Sequence, residues 1–158
     1  MSLSGTTESK KMLADTLKTL LATSYAFVIK AQNFHWNVEG PNFPQYHEFL
    51  GNLYNEVYDN AIDQTAELIR QLDSYTPGSI ARFAELSQIP DQTKIPRAEL
   101  MMAELAQDNA RLLEMWKAAF PIAEQANEQG IADFIAGRID AHSKHGWMLR
   151  SILKKERA

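Results

Sequence analysis

The chain has 158 residues, a hydrophobic content of 45% and a formal net charge of −4 at pH 7, enough for one domain over residues 1–158 with a core that needs no staple, residues 1–9 being expected as a flexible tail. With no cysteine, disulfides and zinc–thiolate sites are excluded, so any metal must be held by imidazole, carboxylate or water. The acidic balance argues against a protein built chiefly to grip phosphate backbones; the N-terminal stretch MSLSGTTESKKMLADTL has no uninterrupted apolar region and no stretch approaches the roughly 20 apolar residues of a membrane span, so a cytoplasmic location with no membrane partner is expected.

From Lys10 to about Asn37, Leu13, Leu17, Leu20, Leu21, Tyr25, Val28 and Ile29 recur at three- and four-residue steps, the stripe of a long amphipathic helix. Gly40, Pro41 and Pro44 interrupt it, and Pro44 suits the first turn of a second helix. Tyr46, Phe49, Leu50, Leu53, Val57, Ile62, Leu68 and Leu72 carry that helix to about Asp73. Thr76-Pro77-Gly78 predicts a turn, and SIARFAELSQ a short helix ending before Pro90. Pro96 opens a third long helix with Leu100, Leu105, Leu112, Met115, Trp116 and Phe120 on its apolar face. Gly130 separates it from a fourth, carrying Ile131, Phe134, Ile135, Ile139, Leu149, Ile152 and Leu153. With no strand-like alternation, the expected fold is all-α: a four-helix bundle with a long central crossover that contains a short extra helix.

Two of the four histidines, His35 and His47, fall twelve residues apart, in the last turn of the first helix and the first turn of the second. Downstream, Asp59, Asp63 and Glu67 follow at four-residue steps along one face. Imidazole with carboxylate suits iron or zinc, and bundles build such sites from side chains on long helices. The same residues are equally compatible with helix-end histidines and a solvated acidic face.

The run FHWNVEGPNFPQYHEF, followed by Asp63 and Glu67, resembles the Dps proteins, mini-ferritins of the ferritin-like superfamily that protect DNA during starvation. TPGSIARFAELSQIPD is similar to that family's short helix between its second and third bundle helices, and RIDAHSKHGWMLRSIL to its final helix. The resemblance covers nearly the whole chain. It implies a homo-oligomeric hollow shell, a dodecamer, that oxidises Fe(II), preferably with hydrogen peroxide rather than oxygen, and stores ferric mineral. In the family the iron site lies between two subunits, so His35 and His47 would come from one chain and Asp63 and Glu67 from its partner. Trp36 would sit beside the site, either as an electron donor or packed at the dimer interface. His142 and His145 match no site position and are expected on a helix surface or an interface.

Three departures from the family pattern stand out. An acid commonly follows the second histidine by four residues and helps to hold a second iron; here that position is Gly51. The loop after the second helix reads LDSYTPGS, without the usual pair of glycines. The site acids usually follow the second histidine by fifteen and nineteen residues, positions that are Ile62 and Ala66 here, so Asp63 and Glu67 come one residue late. At about 100° per residue in an ideal helix, Asp63 would point roughly 160° away from His47, where the family spacing gives about 60°. A π-turn within residues 56–63 is therefore expected to absorb the extra residue. The alternative is a regular helix that brings Asn55 and Asp59 toward that face, with Asp59 as substitute ligand.

Around Gly130, Glu124, Glu128 and Asp133 lie where the family gathers acids at three-fold pores, and Asp133 followed by Glu124 are the pore candidates; an ordinary solvated turn has the same composition. Basic residues are sparse at the ends, Lys10 and Lys11 at one and Lys154, Lys155 and Arg157 at the other, so DNA binding is expected to be weak or absent. The overall expectation is a ferroxidase and iron-storage protein, with a DNA-compacting protein of altered metal site as the alternative.

Overall fold

The computed structural model describes residues 6–157. Helix α1 spans Thr7–Asn37, capped by the Thr6 hydroxyl, which accepts the Ser9 amide at 3.1 Å. The helix thus starts three residues before Lys10 and takes in part of the segment expected as a tail; residues 1–5 lie outside the described residues. Its last turn closes with the Val38 amide on the Phe34 carbonyl. The chain then reverses at Gly40, whose φ of 122° is one that L side chains rarely adopt, and enters α2, Phe43–Val57, with Pro44 in the first turn.

After α2 comes a π-turn, Tyr58–Ile62, followed by α3, Asp63–Gln71, so the second bundle helix is continuous but carries one residue more than an α-helix of its length. The expectation of a π-turn within residues 56–63 is met, and the regular-helix alternative is not. Burial explains why. An uninterrupted helix would place Asn60, Ala61, Gln64 and Leu68 below the inward-facing Val57. The buried residues are instead Ala61, Ile62, Thr65 and Ile69, while Asn60 and Gln64 stay exposed. Widening one turn keeps two amides out of the core, where each would need a partner. The Gln64 side chain also donates to the Asp59 carbonyl at 2.9 Å, serving an acceptor at the exit of the wide turn. Deleting Asn60 would bring Ala61, Ile62, Thr65 and Ile69 to regular α spacing after Val57. That variant is expected to fold with an unbroken helix and a melting temperature no lower than that of the parent; a chain that aggregates or melts early would contradict this account.

The second helix ends in a Schellman arrangement: Asp73 has φ 60°, its amide reaches the Arg70 carbonyl and the Ser74 amide reaches that of Ile69. Asp73 thus takes the left-handed conformation that a glycine would supply, so the loop turns without the glycine pair usual in the family that the sequence resembles. Thr76 braces the exit by donating to the Ala66 carbonyl at 2.6 Å. The short helix α4, Ile80–Leu86, is capped by the Ser79 hydroxyl. Helix α5 spans Ala98–Gln125 and α6 spans Gln129–Leu153. The break between them is made by Asn127 at φ 58°, again with Schellman bonds, Asn127 to Glu124 and Glu128 to Ala123. Gly130, expected to mark this break, lies inside α6.

Helices α1, α2–α3, α5 and α6 bury one contiguous core that includes Leu17, Phe27, Phe34, Leu53, Leu105, Trp116 and Ile135, and no strand occurs among the described residues. Ile29 and Leu100, expected to face inward, are 50% and 46% exposed. By length and composition α1 could cross a membrane, against expectation, but 56% of its most apolar window is buried in the bundle.

Candidate metal site

The last turn of α1 and the first turn of α2 place His35 and His47 face to face, ring centroids 3.8 Å apart and planes 13° from parallel. Each ring is tied to the other helix: His35 Nδ1 donates to the His47 carbonyl at 2.6 Å and His47 Nδ1 to the His35 carbonyl at 2.7 Å. A carbonyl only accepts, so both Nδ1 atoms carry hydrogen, and a neutral ring then has its lone pair on Nε2. Fixing the tautomer through the other ring nitrogen is how metal-ligating histidines are oriented. Phe43 stacks on His47 at 5.0 Å and Tyr54 sets its edge against His35 at 5.4 Å, which restrains both rings. Trp36, beside His35, is 65% exposed.

Asp63 and Glu67 lie one turn apart on the exposed face of α3, and Asp59 is exposed in the π-turn. They do not join the histidines within one chain: among the described residues no three His, Asp or Glu side chains are grouped to hold a metal. Glu124 and Asp133 are both exposed and line one surface pocket at the α5–α6 turn, with Phe120, Asn127 and Gln129.

His142 and His145 correct the sequence reading. Neither lies on a surface: His142 is 0% and His145 8% exposed. His142 Nδ1 donates to the Asn109 side-chain oxygen at 2.8 Å, the Asn109 amide donates to the His142 carbonyl at 2.9 Å, and His142 Nε2 accepts from Arg138 at 3.2 Å. Arg138 grips Glu56 through two bonds of 2.7 and 3.1 Å, and His145 Nε2 donates to the same carboxylate at 2.6 Å. The network ties α2 and α5 to α6. Burial alone would raise Glu56, but the hydrogen bonds from His145 and Arg138, with the guanidinium charge, hold its carboxyl well below the usual range. Burial, reinforced by the charge on Arg138, holds His142 well below the ordinary 6.5.

Both shifts have the same sign. Between its folded value and 6.5, His142 carries its proton only in the unfolded chain, so its contribution to stability is full above 6.5 and lost as pH falls; Glu56 repeats this below 4.5. Asp108, raised by burial against the pull of Lys30, runs the opposite way, and its relief is complete only below 3.8. Melting temperature is therefore expected to fall between about pH 7.5 and about pH 5, and His142→Gln to flatten that slope. An equally steep slope in the variant would remove His142 as its source.

Helical order, bundle topology and a histidine pair at one bundle end together define a class. A Ferritin-like domain model matches residues 14–158. The chain is 30% identical over 148 residues to the DNA protection during starvation protein of Brevibacillus brevis, covering 94% of this chain and 99% of that one. The Dps crystal structure from Staphylococcus aureus superposes with a TM-score of 0.87 at 31% identity, over 91% of this chain and 96% of that chain. The DPS protein of Vibrio cholerae O1, described as a member of a broad superfamily of ferritin-like diiron-carboxylate proteins, gives 0.89 at 26% identity, over 94% and 92%. The chain belongs to the ferritin-like family, within it to the Dps mini-ferritins.

Proposed function

We propose that the chain is the subunit of a cytoplasmic mini-ferritin shell of twelve copies that oxidises Fe(II), preferably with hydrogen peroxide, and stores the ferric product. The observation that carries this reading is the interlocked imidazole pair, with each Nδ1 spent on a carbonyl and each Nε2 left as a ligand. His35 and His47 of one subunit meet Asp63 and Glu67 of another; the two acids are exposed, as a site completed by association requires. Two Fe(II) ions each give up one electron, and peroxide takes both with two protons to leave water. Carboxylates stabilise the ferric ion as it forms, and so few protein ligands leave positions open for the oxidant. Trp36 supplies an electron to one-electron oxidation products. Asp133 and Glu124 draw Fe(II) inward at the α5–α6 turn, since clustered carboxylates raise the local cation concentration.

The DNA-compacting alternative gains little: Lys11, one of few basic residues near the N-terminus, is already paired with Asp15 at 2.9 Å. The deciding experiment mixes the protein anaerobically with Fe(II), adds peroxide or oxygen and follows ferric absorbance, with light scattering on the same sample. Fast oxidation by peroxide in a particle far above 17.9 kDa is expected; a monomer, or an iron signal no faster than buffer, would overturn the reading.

A further inference from the structure

We infer that Gly51 is the seat of the His35 imidazole, and that its missing side chain is what lets the histidine pair present itself to metal. The inference rests on the metal-site reading and assigns this position a task other than that of a lost ligand. Gly51 is buried on α2, one turn beyond His47. A Cβ built there would lie 3.0 Å from His35 Cε1, 3.2 Å from Nδ1 and 3.8 Å from Nε2, so the ring rests directly on the glycine. At Gly78, Gly130 and Gly137 the same added atom meets nothing within 4 Å.

The ring is restrained on other sides as well. It stacks on His47 with centroids 3.8 Å apart, its Nδ1 is held at 2.6 Å by the His47 carbonyl, and Tyr54 stands edge-on at 5.4 Å. A methyl group at position 51 must push the imidazole by a few tenths of an ångström against that stack and that short bond. A longer acidic side chain does more. Its Cβ lies 3.0 Å from Cε1 and 3.2 Å from Nδ1, and the carboxylate it carries is an acceptor that competes with the His47 carbonyl for the Nδ1 hydrogen, loosening the restraint that fixes the tautomer. An acid at this position, which the family uses toward a second iron, therefore displaces His35 from this arrangement. Restoring the acid weakens the first metal rather than adding another.

The test titrates Co(II) into the assembled wild-type protein, Gly51→Ala, Gly51→Glu and His35→Ala, reading affinity and stoichiometry from the visible absorption of bound Co(II), with crystal structures of wild type and Gly51→Ala. The expected result is at least tenfold weaker Co(II) binding by both Gly51 variants, no added Co(II) per chain in Gly51→Glu, and a displaced His35 ring in Gly51→Ala. A second Co(II) per chain in Gly51→Glu with the first affinity retained, or wild-type affinity in Gly51→Ala, would overturn the inference. If wild type itself binds no Co(II), the metal-site reading fails. The role of Gly51 is then decided by the crystal structures alone: a displaced His35 ring upholds it and an unmoved ring removes it.

Discussion

Replacing both His35 and His47 with Ala is expected to abolish rapid oxidation of Fe(II) by peroxide while the assembly survives. The two side chains are half-buried at helix ends, so truncation removes little of the core centred on residues such as Phe27 and Trp116. What is lost structurally is a pair of reciprocal hydrogen bonds between α1 and α2, at a cost of about 1–3 kcal/mol in all. What is lost chemically is the whole nitrogen half of the proposed ligand set. Stopped-flow ferric absorbance, with light scattering to verify the particle, separates the two. Oxidation at the wild-type rate in an intact particle would place the chemistry elsewhere.

The largest loss of stability is expected from Arg138→Ala. Arg138 is 4% exposed and makes both guanidinium bonds to Glu56 as well as the one to His142. Its removal leaves Glu56 with His145 and the exposed Asn60 amide as partners and leaves the His142 Nε2 lone pair buried without a donor. Removing one partner of a buried ion pair costs about 3–5 kcal/mol; because the Glu56 side chain is 27% exposed, about 2–4 kcal/mol is the expected destabilisation. Denaturant unfolding measures it directly. A change below about 0.5 kcal/mol would mean that water replaces the guanidinium at no cost.

The bundle was legible because its signal is local: stripes such as Leu13, Leu17, Leu20 and Leu21 need only helical periodicity to be read, and all four are buried. His35 and His47 were legible as a pair because they flank a single Gly-Pro break. The polar network was not. Glu56 finds its partners 82 and 89 residues away, and nothing near His142 or His145 in the chain announces that α2 and α5 will cover them. The stop near Asp73 is legible from where the apolar stripe ends, but not its left-handed backbone; the break at Asn127 is masked by Gly130, because a non-glycine residue in that conformation carries a weaker local signature than a glycine. Gly51 reads in sequence as an absent acid; only the position of the His35 ring gives it a task.

The π-turn changes how this chain is to be aligned with its relatives. Counting forward from His47 without a gap sets Ile62 and Ala66 where the family resemblance puts the site acids. Setting one residue aside between Val57 and Asp63 puts the proposed ligands Asp63 and Glu67 there instead. The two halves of the helix are then registered separately, one by the histidines and one by the proposed acids. The extra residue therefore does not count against Asp63 and Glu67 as ligands: the wide turn takes it up and leaves Ala61, Ile62, Thr65 and Ile69 on the buried face.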